Sequence, residues 1–505
     1  MRQFAGTRIR LLLRMWHSFA DNDRATPRLA IAGALLAILG AKIWLIAAQG
    51  SPLPSWDQWD GEAESTYLPY FDGTLRFADL FAPHNEHRIA LTRLYALGLV
   101  IVTGRWDPML QMLLNAVVHT AAAGLLLVIL SWPLDRAGAL LLAFFAVLFF
   151  GVPLGWENTL SGFQIQFYLL ILMGPLGIYL LCGSRAWSAR WWCGTLVAIA
   201  GNFTVAAGAL TLPAFIALAL MQVLAGQRSG RGECLAIACH AIIAALLLWD
   251  LPSVPAHAAN RAQSLAEWLN AVMVLASWPV VTASWPAPLR VAGALALFAP
   301  VLLVAGRLRE RPPVTDWRWL YLGLAAWVGM LILAFAYGRA AGAFYGSRYH
   351  DVFIVGLVLN AASLIWLLRD SPFAARRGLR AGAAVWMLAV MVAAGQKAMN
   401  NVPRDIAGQR NATAVQIRNV TQFLATGDKA AIENKPRFDI PYSESAKLLR
   451  LLSLPQIVAI LKPALAERPP LQRAMLQGGP MLLPVGLALL MIAVLPRRRP
   501  RASGS

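Results

Sequence analysis

The residues best suited to chemistry crowd one stretch, Ser55 to Arg93, reading SWDQWDGEAESTYLPYFDGTLRFADLFAPHNEHRIALTR. It holds seven acids (Asp57, Asp60, Glu62, Glu64, Asp72, Asp79, Glu86), two histidines (His84, His87) and three arginines (Arg76, Arg88, Arg93). Asp57 and Asp60 are three apart, and Asp60 and Glu64 four apart. A helix here would carry all three on one face. Such a group can hold a divalent cation, magnesium or manganese, through oxygen ligands. Alternatively, one carboxylate can act as general base toward an acceptor hydroxyl or amine. The plainer reading is a solvated acidic loop, with Trp56 and Trp59 anchored at a membrane interface.

PHNEHRI (83–89) adds Glu86, His87 and Arg88 to His84. Histidine beside a carboxylate suits a metal or a proton relay, and arginine suits a phosphate. The spacing of the two histidines is three, not the helical four of a two-histidine zinc site. A polar cap that orients the loop accounts for the same residues. Two more loops carry complementary groups. GWENTLSGFQ (155–164) has Glu157, Asn158 and Gln164, and YGRAAGAFYGSRYH (337–350) has Arg339, Arg348, Tyr349 and His350. Basic groups at a membrane boundary can grip a lipid phosphate, or simply snorkel to headgroups. Gln111, Asn115 and His119 recur every four residues and form a polar stripe within an apolar run. Function at His119 and interhelical hydrogen bonding both fit that stripe.

The elements that must position these groups are membrane helices. The chain has 505 residues, 58% hydrophobic and only 14% charged. Apolar runs of roughly 20 residues recur along it, each long enough to cross a bilayer. The class is all-α and polytopic, with about 12 transmembrane helices by the charge of the connecting loops. The net charge of +19 sits mostly in short loops between spans, which reads as topology and not as a nucleic-acid surface. Cys182, Cys193, Cys234 and Cys239 lie in or beside spans, so no disulfide framework is implied.

Matching arginine-rich ends to the cytoplasm gives a cytoplasmic N-terminus (1–28), a transmembrane domain (29–396) and a large first outer loop (49–108). A polar helical segment (397–477) follows on the outer face, then a last span and basic tail (478–505). The run 29–48 reads as an uncleaved span and not as a signal peptide. The 89–103 segment reads as a short helix that does not cross, and 192–225 as two short helices interrupted near Gly201 and Asn202. A helix lying on the outer interface is expected over Leu265–Val280, and others over Arg404–Ala425 and Ser443–Leu454.

The combination of WDQWDGE after the first span, LFAPHNEHRI before a short helix, a broken 192–225 segment, RAAG…SRY and an outer C-terminal domain resembles the GT-C superfamily of membrane glycosyltransferases. The resemblance covers most of the chain in architecture and rests on short motifs. It implies a donor sugar on a polyprenyl phosphate, delivered from the membrane. The acceptor would be a lipid-linked glycan, lipid A or a protein, at the outer face of a bacterial inner membrane. Carried over to this sequence, Asp57 and then Asp60 are the catalytic carboxylates, with Glu86, His87 and Glu157 in support. Arg88, Arg339, Arg348 and His350 would hold the lipid phosphate. A metal at Asp57, Asp60 and Glu64 is left open, because family members also transfer without one. The competing readings are a lipid-linked glycan flippase or transporter and an O-antigen-type polymerase.

Overall fold

A computed structural model describes residues 25–340, 346–369 and 377–495. The arginines of the first 24 residues, 341–345 of the RAAG…SRY loop, Arg376 and the RRRPR tail lie outside the described residues. The rest is helical, and its sole β-like feature among the described residues is an isolated bridge between His84 and His87.

In chain order the helices are α1 (Ala25–Gln49), α2 (Ala90–Thr103), α3 (Pro108–Leu130), α4 (Arg136–Gly151), α5 (Ile165–Cys182) and α6 (Ala189–Gly201). Then come α7 (Thr211–Leu224), α8 (Arg231–Trp249), α9 (Leu265–Ala276), α10 (Ala287–Gly306), α11 (Trp317–Gly338) and α12 (His350–Arg369). The last are α13 (Arg377–Gln396), α14 (Val402–Thr426), α15 (Ser445–Leu452), α16 (Pro455–Ala466), α17 (Pro470–Gly478) and α18 (Leu482–Val494). Among the described residues, ten helical runs are long and apolar enough to cross a membrane. The chain therefore has the make-up of a multi-pass membrane protein. Two of the expected spans fall outside the ten. The helix α4 has 16 residues and α6 has 13, each shorter than a full crossing needs.

The helix α12 is the most enclosed span, packed between α4, α10 and α11. The first and last helices close the bundle: α1 lies along α18, where Gly33 and Gly486 bring the backbones together. A Cβ on Gly486 would stand 2.3 Å from the Ala37 nitrogen. Small residues permit such close helix crossings in lipid.

At one end of the bundle the first polar loop and the 397–477 segment share a second apolar core. Trp59, Tyr67 and Trp106 pack there against Leu448, Leu452 and Ile457. The predicted short helix is α2, and the predicted break in 192–225 falls between α6 and α7. The sequence places a boundary at 397, but the helix does not stop there. It passes from α13 through a π-turn, Lys397–Asn401, into α14. Pro403 follows that turn, and proline crowds the carbonyl four residues earlier. A widened π-turn gives it room.

Candidate functional site

The acidic stretch is wound as a π-helix, Trp59–Tyr67, and lacks the α-helical period that would set the three acids on one face. Ser65 and Thr66 each turn their hydroxyl back to the carbonyl five residues earlier, at 2.6 and 2.9 Å. Before it, Trp56 sits in the left-handed region (φ 49°) with its N–H donated to the Pro441 carbonyl at 2.7 Å. That reversal separates the acids. Asp60 accepts the Tyr442 hydroxyl at 2.8 Å and an ion pair from Lys447. Glu64 pairs with Lys447 and Arg450. Asp57 faces the other way, into a cavity, and makes no hydrogen bond or ion pair among the described residues. The three acids therefore do not gather around one cation, and among the described residues no cluster of three or more metal-ligating side chains occurs. These residues do not fit the divalent-cation expectation.

The PHNEHRI stretch makes a tight reversal. His84 and His87 exchange backbone hydrogen bonds at 2.8 and 3.0 Å, and Asn85 takes a left-handed φ of 51°. The reversal turns Glu86 and His87 inward. Glu86 Oε1 accepts from His257 Nδ1 at 2.6 Å and lies 3.8 Å from Arg339 Nη1. Burial pushes the Glu86 carboxyl up, but the His257 hydrogen bond and the Arg339 charge outweigh it and hold it below the usual value. His87 Nδ1 accepts the Ala206 N–H at 3.2 Å, so that nitrogen carries no proton. Burial also pushes the His87 imidazole down to about 4, which leaves the ring neutral at pH 7.

Three connected cavities run past these groups. The first, of about 420 Å³, lies between Asp57, Trp56, Trp156, Arg348 and Arg437. The second, of about 470 Å³, is a polar chamber that shares Asp57, Arg348 and Arg437 with it and adds His84, Glu86, His87 and Arg339. The third, of about 430 Å³, shares Glu86, His87, Arg339 and Tyr349 with the chamber, then continues as an apolar groove along Val205, Leu210, Leu248 and Phe335. Arg339 therefore stands at the neck between polar chamber and apolar groove. Arg348 Nε is buried with no hydrogen-bond partner among the described residues, and its guanidinium lies 5.7 Å from the Tyr349 ring.

The fold thus brings Asp57, Glu86, His87, Glu157, Arg339 and Arg348 to one connected space. Three other predicted site residues are engaged elsewhere. Asp60 is bound to Lys447 and Tyr442. Arg88 pairs with Asp250 at 2.7 Å and donates to the Phe81 carbonyl at 2.9 Å, so it does not face the chamber. His350 Nδ1 hydrogen-bonds the Leu154 carbonyl at 2.8 Å, and its ring stacks on Trp278 at 4.7 Å. The polar stripe of α3 is likewise engaged within the protein, with Gln111 on Glu62 and Asn115 on the Gly162 carbonyl.

Sequence reasoning missed Glu62. This acid is 1% exposed and accepts hydrogen bonds from Trp106 Nε1 (2.6 Å), Gln111 (3.1 Å), Gln58 (3.2 Å) and Tyr67 (3.2 Å). Burial pushes its carboxyl up to about 7, against those four donors. Its small neighbours Gly61 and Ala63 were the available signal of burial. His257 and Arg437 were missed as well, because each sits in a loop of unremarkable composition. Comparison with protein-family models, curated proteins and solved structures returns no match.

Proposed function

We propose that this chain is a membrane glycosyltransferase of the GT-C type, using a polyprenyl-phosphate sugar as donor. The observation that carries this reading is the union of an unpaired carboxylate, Asp57, with a basic neck at Arg339 and an apolar groove beyond it. An isoprenoid chain fits the groove from the membrane side, and its phosphate meets Arg339 and Arg348. The sugar then occupies the polar chamber. An acceptor hydroxyl or amine reaches it past Asp57.

In the proposed reaction the acceptor atom attacks the anomeric carbon as the bond from that carbon to the phosphate oxygen breaks. The bonding pair leaves with the lipid phosphate, and Asp57 takes the acceptor proton. Attack opposite the leaving group inverts the anomeric centre. Charge develops on the phosphate, where Arg339 and Arg348 stabilise it. His87, neutral and fixed by Ala206, adds no charge there. The acceptor is a lipid-linked glycan, lipid A or a protein side chain, and the site faces the exterior of a bacterial inner membrane.

The test is transfer from radiolabelled polyprenyl-phosphate sugar in membranes carrying the full chain or Asp57→Asn. The expected result is a loss of at least about 100-fold, the usual weight of a general base. Undiminished transfer by the variant would overturn the carboxylate mechanism. If transfer then also depends on Arg339 and Arg348, the polymerase reading takes its place.

A further inference from the structure

Among the ionisable side chains buried in the bundle, three lie close together and line none of the cavities above. Lys42 of α1, His119 of α3 and Asp351 of α12 expose 5%, 0% and 2% of their surfaces. Such groups are costly within a membrane and persist where partners hold them. Lys42 Nζ donates to Thr159 Oγ1 at 3.1 Å, and Thr159 Oγ1 lies 3.0 Å from the Tyr168 hydroxyl. Asp351 Oδ2 accepts from Asn158 Nδ2 at 2.7 Å. His119 Nε2 stands 3.7 Å from Asp351 Oδ1, with its ring stacked on Tyr168 at 4.3 Å. No ion pair joins Lys42 to Asp351 directly. The adjacent residues Asn158 and Thr159 link them.

Those two residues belong to the short turn Trp156–Thr159, and the other side of that turn grips the loop carrying Arg348. Glu157 Oε2 accepts the Arg348 N–H at 2.9 Å, and the Glu157 N–H donates to Ser347 Oγ at 3.1 Å. Asn158 Nδ2 also donates to the Arg348 carbonyl at 2.8 Å. The fit has no slack. A Cβ on Gly155 would lie 2.6 Å from Asp351 Oδ2, and one on Gly346 would lie 2.8 Å from Glu157 Oε2.

We propose that Lys42 and Asp351 are a buried charge pair that fixes the Trp156–Thr159 turn, and through it holds Arg348 in the chamber. They are positioning residues, since neither reaches the chamber. Charge-assisted hydrogen bonds are shorter and stronger than neutral ones. One from Lys42 of α1 to Thr159 and one from Asn158 to Asp351 of α12 hold the turn in a single place. The placement of Arg348 is a structural claim. Only its catalytic consequence rests on the glycosyltransferase reading.

The test uses the full chain in lipid nanodiscs. Wild type, Lys42→Met, Asp351→Asn and the double variant are compared by hydrogen exchange over the Arg348–Tyr349 segment. Asp351→Asn keeps the side-chain volume and an acceptor oxygen for Asn158, so the fold has what it needs. Each single variant is expected to speed exchange at the Arg348 amide by at least about tenfold. The double variant weakens both tethers and should exchange at least as fast as either single variant. Amides in the middle of α12 should keep wild-type protection. Unchanged exchange at Arg348 in both single variants would sink the proposal. Equal loosening of α12 would sink it too, since the charges would then hold the bundle and not the loop. With a polyprenyl-phosphate sugar, Asp351→Asn should lower kcat by about tenfold, less than the loss expected on removing Arg348 itself. An unchanged kcat with a raised KM contradicts the catalytic consequence drawn for Arg348. If wild type transfers no sugar, the exchange result still decides the placement of Arg348.

Discussion

Asp60 and Glu64 form ion pairs with Lys447 and Arg450, whereas Asp57, three residues before Asp60, forms no ion pair among the described residues. Both acids grow from one turn of backbone, so the contrast comes from what folds against them. The clamped pair faces the 397–477 segment and joins it to the first polar loop through an apolar core and ion pairs. Asp57 faces the chamber with Arg348. A carboxylate that is already neutralised is a poor base and a good strut. One left without a partner in a cavity is available to a substrate. The same division runs through the arginines: Arg88 is bound to Asp250, while Arg348 Nε has no partner.

The contrast is broken most directly by exchanging single atoms. Asp57→Asn and Asp60→Asn, assayed together for sugar transfer, should differ by at least about tenfold, with Asp57→Asn the more damaging. Equal losses would erase the distinction. Next in size is Arg348→Ala. Removing one cation from a developing phosphate charge should lower kcat by roughly 100-fold, the scale seen for a lost oxyanion donor. A change confined to KM would mark Arg348 as a binding group only.

The helical membrane class and most helix bounds were legible, because apolar runs must span and loops carry the charge. The span expected over 29–48, for instance, lies within the helix Ala25–Gln49. The division of labour among the acids was not legible. Lys447 lies 387 residues beyond Asp60, and nothing local to the WDQWDGE motif records it. The helical-face argument also assumed an α-helical period. The π-helix widens each turn, and the left-handed Trp56 sets Asp57 apart from Asp60. The engagement of Arg88 and His350 was hidden for the same reason, since Asp250 and Trp278 are distant in sequence. The gathering of Glu157, Arg339 and Arg348 was legible from loop placement alone.

A smaller effect is expected at the clamp. Lys447→Met leaves Asp60 and Glu64 facing each other without their shared cation. The pair is partly exposed, with side chains at 23% to 34%, so the loss should be on the order of 1 kcal/mol. It should appear as faster limited proteolysis near Ser443–Leu454, with the bundle unaffected. Transfer should fall by less than in Asp57→Asn. A larger loss than that would make the clamp part of the chemistry.

The last expected effect is one of pH and concerns Glu62, the acid that is neither clamped by a cation nor free. Its folded carboxyl is pushed up to about 7 by burial, from an ordinary value of 4.5. The folded protein therefore holds that proton more tightly than the unfolded chain. Its contribution to stability is complete below pH 4.5 and is lost as pH rises through about 7. His87 works in the opposite direction. Its folded value is about 4 against 6.5, so its contribution is present above pH 6.5 and is lost as pH falls toward 4. The two slopes oppose each other over the same window in the wild-type protein. Glu62→Gln removes one of them and keeps the size of the side chain. Its thermal midpoint in nanodiscs should rise more steeply between pH 4.5 and 7 than the wild-type midpoint, and the two curves should run parallel above pH 8. Parallel curves throughout would mean that Glu62 titrates at an ordinary carboxylate value. Its four neutral donors would then suffice to hold a buried anion, and Glu62 would belong with Asp60 as a strut.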